Sequence, residues 1–378
     1  MNLHYNLELG NYFTFEPSKP RPIYNWFYYK EAFSPELVFH FIEKWRPEKI
    51  LDPFCGIGTT LLASKEKNIP AYGIDVSPLT VFVSRVKTEY YPADECVEGE
   101  QILHGFFKNR FSPTYEWEFE LFSPRKFFPS RNYNDIVFIR EKIEHIENEK
   151  IKNLFLLALL SVIPQCGLFI KDGGVLKFSK EKRAMPAKEA FRRKAKRMLK
   201  EAKETKPGNV FVHEGDARFM EFGDEQFDGI ITSPPYLNNI DYTKVYGLEL
   251  SLLAMDKNIT SLIRKKSFRS FITKETKASE VQSEAAEYSH LPIVPAYFED
   301  SKRVFENFHR VLKKGGRVAY VVGNAVIHDT HIPVDDILCR IAEKIGFKTE
   351  ISVGSERWAD VKPEKIKTRE SVVLLEKI

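Results

Sequence analysis

The sequence predicts an α/β fold, a doubly wound, mostly parallel, Rossmann-like sheet carrying a largely helical insertion. Three observations predict it. Residues 47–78 have the rhythm of a strand, a glycine turn, a helix and a second strand. An acid, Asp75, closes that second strand about twenty residues beyond the turn, the spacing of an adenosine-binding βαβ unit. The strand–helix alternation then lapses after about Thr88 and returns at Val210.

Taken in order, Ser34-Pro35-Glu36 opens a helix, with Ser34 as N-cap and Pro35 in the first helical position. Leu37, Val38, Phe41 and Ile42 give it an apolar stripe. The strand Lys49-Ile50-Leu51 runs into Cys55-Gly56-Ile57-Gly58, a helix follows over 59–67, and the strand 71–74 ends on Asp75. The block 88–207 holds an aromatic segment (111–133), helical runs at 135–147 and 150–163, and a strongly basic helix over 187–204. Strands resume at Val210-Phe211-Val212 and Gly229-Ile230-Ile231, with the acidic turn Gly215-Asp216 between them. A helix over 246–253 precedes a polar stretch at 256–289. The end is again α/β: helix 295–312, a stop at Lys313-Lys314-Gly315-Gly316, strand 317–322, helix 335–345, and strands near 348–353 and 371–375.

Composition excludes several classes. Of 378 residues, 43% are apolar and 29% charged, the balance of a globule with a sizeable core. The net charge of +4, from 57 basic against 53 acidic residues, does not by itself mark a nucleic-acid binder, so such a role must rest on local clusters. Cys55, Cys96, Cys166 and Cys339 are widely spaced without a CxxC pair, which argues against a disulfide framework or zinc site and fits a cytoplasmic protein. No spacing of His, Cys or carboxylates suggests any other metal. The N-terminal 16 residues lack the pattern of a signal peptide. The apolar run 154–163, broken by Ser161 and ended by Pro164, is too short to span a bilayer and reads as a buried helix, so no membrane partner is expected.

Two motifs carry chemistry. In Asp52-Pro53-Phe54-Cys55-Gly56-Ile57-Gly58-Thr59-Thr60, glycines let the backbone turn sharply beside a ligand, and the following helix offers free N–H groups to an anion. Asp75 is placed to accept two ribose hydroxyls. The third glycine of a dinucleotide fingerprint is absent, which disfavours a nicotinamide cofactor. In Thr232-Ser233-Pro234-Pro235-Tyr236, prolines fix the backbone and leave carbonyls free to accept, Ser233 adds a hydroxyl, and Tyr236 offers a flat face to a base. Alone, this is a Pro-Pro turn beside a core tyrosine. At the carboxyl end of the same sheet as the glycine turn, it is a site that holds an amine and aims its lone pair at an electrophile.

Together the two motifs resemble the S-adenosylmethionine-dependent amino-methyltransferases that modify N4 of cytosine or N6 of adenine in nucleic acid. The resemblance covers residues 20–87 and 208–375 and leaves the block between them unmatched. It implies S-adenosylmethionine as cofactor, with Asp52, Gly56, Gly58 and Thr59 at its methionine end, Phe54 in the same turn, Asp75 on the ribose and Asp216 at the adenine amine. The segment 24–34, with Lys30, resembles the stretch that also helps bind the cofactor. Ser233, Pro234, Pro235 and Tyr236 would be the catalytic residues holding the base, and Ser at the first position implies cytosine N4. The organisation expected is then 1–87 for the N-terminal segment and cofactor half, 88–207 for an insertion and candidate target-recognition region, and 208–378 for the catalytic half. DNA is the favoured polymer, alone or beside a restriction enzyme. The alternatives are ribosomal RNA cytidine N4, adenine N6, and a binding module that has lost catalysis. No Pro-Cys dipeptide supports carbon-5 chemistry, and Cys55 reads as a small residue filling space.

Two basic elements are candidates for polymer contact. In the helix over 187–204, Ala187, Phe191, Ala195, Met198 and Ala202 share one side, while Arg192, Arg193, Arg197 and Lys200 lie on the others, suited to phosphate contact or to a solvated face. Lys265, Lys266 and Arg269, interleaved with Phe268 and Phe271, fit a flexible lid or strand-contacting loop within 256–290.

Overall fold

The structure, a computed structural model, describes residues 2–108, 112–272, 276–361 and 364–378. Phe111, which opens the expected aromatic segment, and residues 273–275 of the expected polar loop lie outside them. Among the described residues, the main sheet has eight strands. In chain order these are β1 (Asn2–Tyr5), β2 (Ile50–Asp52), β3 (Ala71–Asp75), β4 (Val210–Glu214), β5 (Phe227–Thr232), β6 (Leu312–Gly323), β7 (Phe347–Val361) and β8 (Glu364–Lys377). Their order across the sheet is β1-β7-β8-β6-β5-β2-β3-β4. From β6 to β4 every pairing is parallel. β8 runs antiparallel to both neighbours, and β1 pairs parallel with β7. The chain leaves β2 in one direction toward β3 and β4 and resumes at β5 on its other side, so the reversal of strand order falls between β2 and β5. In open sheets, ligands bind outside the carboxyl ends of the strands at such a point.

Helices cover both faces. They are α1 (Pro35–Trp45), α2 (Thr59–Glu66), α3 (Pro78–Thr88), α4 (Ala93–Gly105), α5 (Ser130–Ile143), α6 (Glu149–Cys166), α7 (Ala187–Ala202), α8 (Gly247–Ala254), α9 (Ile259–Lys266), α10 (Ile293–Val311) and α11 (Val334–Ile345). The period-2 alternation of strands sorts neighbouring residues into different cores. Leu51, Ile230, Val318 and Tyr320 pack with Phe298 and Ile337 of α10 and α11. Ile50, Ile231, Ala319 and Val321 pack with Leu37, Val38 and Phe41 of α1. Helices α4 to α7 lie within residues 93–202, and their core runs without a break into Val83, Trp26, Leu248 and Leu250.

Several elements depart from expectation. α5 starts earlier than its apolar spacing indicates, because buried Asn132 donates to the carbonyls of Cys166 and Met185 at 2.9 and 2.8 Å. α6 continues through Pro164 to Cys166. The hydrogen bond that a proline removes late in a helix is outweighed by burial of Leu154, Phe155, Leu157 and Leu160. Ser34 precedes α1 as expected, but its hydroxyl makes no capping bond and Pro35 opens the helix without it. β6 begins at Leu312, directly after α10, with Gly315 at φ +75° carrying the expected turn inside the strand. The last two strands lengthen into a hairpin of 15 and 14 residues. β6 pairs with β8 only as far as Gly323↔Glu370, so the rest of the hairpin projects past the carboxyl edge of the sheet. Among the described residues, no helix is long and apolar enough to cross a membrane.

Candidate active site

β2 and β5 pair side by side, Ile50 with Gly229 and Leu51 with Ile230, so the two motifs leave the sheet next to one another. They are also bonded together. The Thr232 hydroxyl donates to Asp52 Oδ1 at 2.6 Å, and the Thr60 hydroxyl donates to the Ile231 carbonyl at 3.1 Å. Asp52 further accepts the Phe54 N–H at 3.2 Å. Its carboxyl is almost wholly buried, and that burial pushes its pKa up to about 7 against the pull of these donors.

The turn after β2 requires its glycines. Gly56 and Gly58 take φ +48° and +79°, and a Cβ on Gly58 would lie 2.3 Å from Ser84 Oγ. A Cβ on Gly56 would meet nothing nearer than 3.9 Å, so the backbone there faces open space. Asp75 closes β3 with Oδ2 accepting the Gly56 N–H at 3.0 Å. Its Oδ1 accepts the Ser77 N–H and the Thr80 hydroxyl, both at 2.9 Å. Burial raises this carboxyl above the usual range, opposed by those donors.

A cavity of about 400 Å³ joins the motifs, within the range of small-molecule sites. Lys30, Asp52, Phe54, Gly56, Thr59, Asp75 and Asp216 line it, together with Ser233, Pro234, Pro235 and Tyr236. Gly58 stands behind the wall and shapes the turn. The Ser233 hydroxyl is loosely held, 3.4 Å from the Val321 carbonyl, whereas the Tyr236 hydroxyl donates to Glu370 Oε1 at 2.8 Å. Asp216 is less free than the resemblance implies, because Arg218 grips its carboxylate at 2.6–3.1 Å and also reaches Asp300. Cys55 lies in the wall with a buried thiol whose pKa is raised well above the ordinary value, the reverse of an activated nucleophile.

Other lining residues have no signature in the sequence. Tyr29 stacks on Tyr246 at 4.6 Å, and Tyr246 donates to Glu31 at 2.7 Å. Arg357 and Glu370, from the hairpin, complete the wall beyond Tyr236. The basic candidates stay outside the cavity. Arg192, Arg193, Arg197 and Lys200 are exposed on α7, whose apolar side is buried as expected. Arg197 pairs with Glu201 at 3.5 Å, and Arg192 lies 5.1 Å from the centre of the Phe107 ring. Lys265 and Lys266 are exposed at the end of α9. Arg269 instead turns inward to Glu299 and Asp300 at 2.9 and 2.6 Å, so its charge is already matched. The stretch is anchored rather than loose, since Arg264 also holds Asp241 at 2.7 Å and Phe268 and Phe271 are buried.

A parallel sheet reversing between β2 and β5, with a glycine turn after one strand and an acid closing the next, is the arrangement of an adenosine-cofactor site, and the cofactor expected in it is S-adenosylmethionine. The site fits that cofactor. The first turn of α2 offers unsatisfied N–H groups, Asp75 offers lone pairs to hydroxyls, and Gly56 leaves space beside them.

No family model matches the chain. It is 28% identical over 418 aligned residues to the Type II methyltransferase M.BsoBI of Geobacillus stearothermophilus, covering 89% of this chain and 80% of that one. It is 27% identical over 419 residues to the Type II methyltransferase M.AvaI of Anabaena variabilis, covering 93% and 84%. Among solved structures it is similar to an S-adenosylmethionine-dependent methyltransferase from Methanosarcina mazei, at 11% identity and a TM-score of 0.33, covering 89% of this chain and 97% of that one. At that score the superposition adds nothing to the assignment. In its two motifs and in its sequence relatives the chain is similar to the S-adenosylmethionine-dependent amino-methyltransferases.

A pH dependence follows from Asp52. A ligand carrying net positive charge favours the ionised carboxylate, so S-adenosylmethionine affinity should rise as pH increases through about 7 and level off above it. Titration calorimetry on either side of neutrality would show this slope in the native protein and its loss in Asp52→Asn. A native affinity that falls with pH would contradict it.

Proposed function

We propose that this chain transfers a methyl group to N4 of cytosine in DNA. The observation that carries the proposal is the bonded junction of the motifs, Thr232 to Asp52, which opens Ser233-Pro234-Pro235-Tyr236 and the cofactor turn into one cavity. Bound S-adenosylmethionine would supply an electrophilic methyl group. The protein's own groups do the rest. The Pro234 carbonyl and Ser233 hydroxyl accept the two N–H bonds of the amine, drawing its lone pair out of conjugation with the ring. Tyr236 stacks on the base, which is worth ~1–3 kcal/mol in comparable sites. Positive charge grows on the nitrogen during transfer, so fixed acceptors bind the transition state more tightly than the ground state. Ser at the first tetrapeptide position supports cytosine, and relatives named as Type II methyltransferases support DNA.

A base in a duplex must be turned out of the stack to reach such a cavity. The exposed arginines of α7 and the lysines ending α9 are suited to hold the backbone by charge while it is turned out. The block 88–207 is in this reading the region that recognises the target. Mass spectrometry of nucleosides from cells with and without the protein tests the assignment. N4-methyldeoxycytidine should appear in DNA. Its absence from DNA with N4-methylcytidine in ribosomal RNA would transfer the activity to RNA, and N6-methyldeoxyadenosine would overturn the base.

A further inference from the structure

Tyr236 is held from two directions by one rung of the sheet. Glu370 of β8 and Gly323 of β6 are cross-strand partners. The tyrosine hydroxyl donates to Glu370 at 2.8 Å. A Cβ on Gly323 would lie 3.2 Å from ring Cδ2 and 3.3 Å from Cε2, so the ring rests against bare backbone. Across the other ladder, Glu370 faces Ser355 and Thr368 faces Arg357. Residues two apart along a strand share a face, so Arg357 follows Glu370 on the same side of the hairpin, and both line the cavity. Among the described residues the Arg357 guanidinium makes no hydrogen bond and no close ion pair, and it acts on the Glu370 carboxylate only at longer range.

Its parallel donors therefore have no partner at hydrogen-bonding distance, and they lie in the cavity with Tyr236 and with the groups proposed above to accept the amine. Cytosine displays its amine, then N3, then O2 along one edge, two acceptors in a row beside the donor. A guanidinium offers two parallel N–H groups that match such a pair. Adenine presents only N1 beside its amine and then a C–H, which would leave one donor unmatched. We propose that Arg357 reads the target base by donating to N3 and O2 of cytosine, while Glu370 and Gly323 fix the tyrosine ring that stacks on it. The proposal rests on the N4-cytosine reading above.

The test uses the full chain and a duplex carrying its mapped target site, with the target cytosine replaced by 3-deazacytosine, which lacks the N3 acceptor. The native protein should lose about 10- to 100-fold in kcat/KM on the analogue, the discrimination of a good bidentate contact. Arg357→Gln should lose a similar factor on ordinary cytosine and little more on the analogue, with S-adenosylmethionine affinity unchanged by calorimetry. Arg357→Lys, which keeps the charge without the fork, should behave like Arg357→Gln. Two losses that multiply, or a lysine variant that matches the native protein, would overturn the assignment. Glu370→Ala should raise KM for DNA, and Glu370→Gln should restore it, because an amide oxygen still accepts the phenolic O–H. Equal damage from both would remove Glu370 from the positioning role. Failure of the parent reading shows separately, as a native protein that leaves cytosine in the unmodified duplex without a methyl group.

Discussion

Ser233→Ala is expected to slow methyl transfer about 100-fold or more, while S-adenosylmethionine affinity stays within about twofold of native. The asymmetry follows from position. Ser233 leaves the carboxyl end of β5 on the side proposed for the target, and the cofactor turn is held by other groups, the Thr232 hydroxyl on Asp52 and the Asp75 carboxylate on the Gly56 N–H. The Ser233 hydroxyl donates a long bond to the Val321 carbonyl and meets the Tyr236 hydroxyl beside it, which leaves a lone pair for an incoming amine. An acceptor that matters most when the nitrogen becomes cationic should depress kcat and kcat/KM together, leaving ground-state binding of the polymer little changed. Single-turnover rates with saturating cofactor, set beside calorimetric affinities, separate these effects. A variant that loses cofactor binding in proportion to rate would show that Ser233 shapes the turn and does not act on the amine.

Lys87→Met is expected to stabilise the protein by roughly 1–4 kcal/mol at neutral pH, as replacing buried charge by apolar bulk does elsewhere. Lys87 is fully buried on α3, and its amine finds no hydrogen-bond partner among the described residues. Burial, with Lys194 adding repulsion, pushes its pKa down to about 7. The unfolded chain keeps the proton to about pH 10. Between these values the unfolded state binds more protons, so native stability should rise with pH from about 7 toward 10. At pH 7 and below, most of the penalty is present. Methionine removes that penalty and flattens part of the slope. Lys194, also lowered to about 7 by burial, keeps the remainder. Urea unfolding of both proteins near pH 7 and near pH 9.5 measures the difference. A methionine variant less stable than native at pH 7 would show that the amine is satisfied.

Much of this was legible in the sequence, for a physical reason. Both motifs are local: a strand, a turn and a helix start lie within a dozen residues, and their chemistry depends on spacing alone. Asp52, Asp75 and Ser233 to Tyr236 therefore appear in one cavity as their patterns imply. Arg357 and Glu370 could not be found that way. Their place depends on an antiparallel strand inserted between β7 and β6, and nothing in residues 347–377 announces which neighbour that strand will take. Arg269 shows the same limit in reverse. Its basic surroundings resemble a phosphate patch, but its partners Glu299 and Asp300 lie thirty residues ahead on α10 and claim the charge first. The edge strand Asn2–Tyr5 is exposed at every position, and at four residues its alternation of Leu3 and Tyr5 with Asn2 and His4 is too short to announce a strand.

The continuity between the helical block and the part of the fold that carries Ser233 to Tyr236 bears on how the proposed specificity could be altered. Leu248, Leu250 and Leu252 of α8, together with Trp26, are buried in the same core as α6 and α7. Burying such side chains contributes about 1.5–3 kcal/mol each, so uncovering all four at once approaches the whole stability of a domain. The block is therefore a poor candidate for grafting. A transplant from a related enzyme would have to carry α8 and the segment around Trp26 with it, and α8 leads directly into α9. On the proposed reading, new target preferences are more accessible through exchanges on the solvent side of α7, where a changed side chain leaves the shared interior untouched.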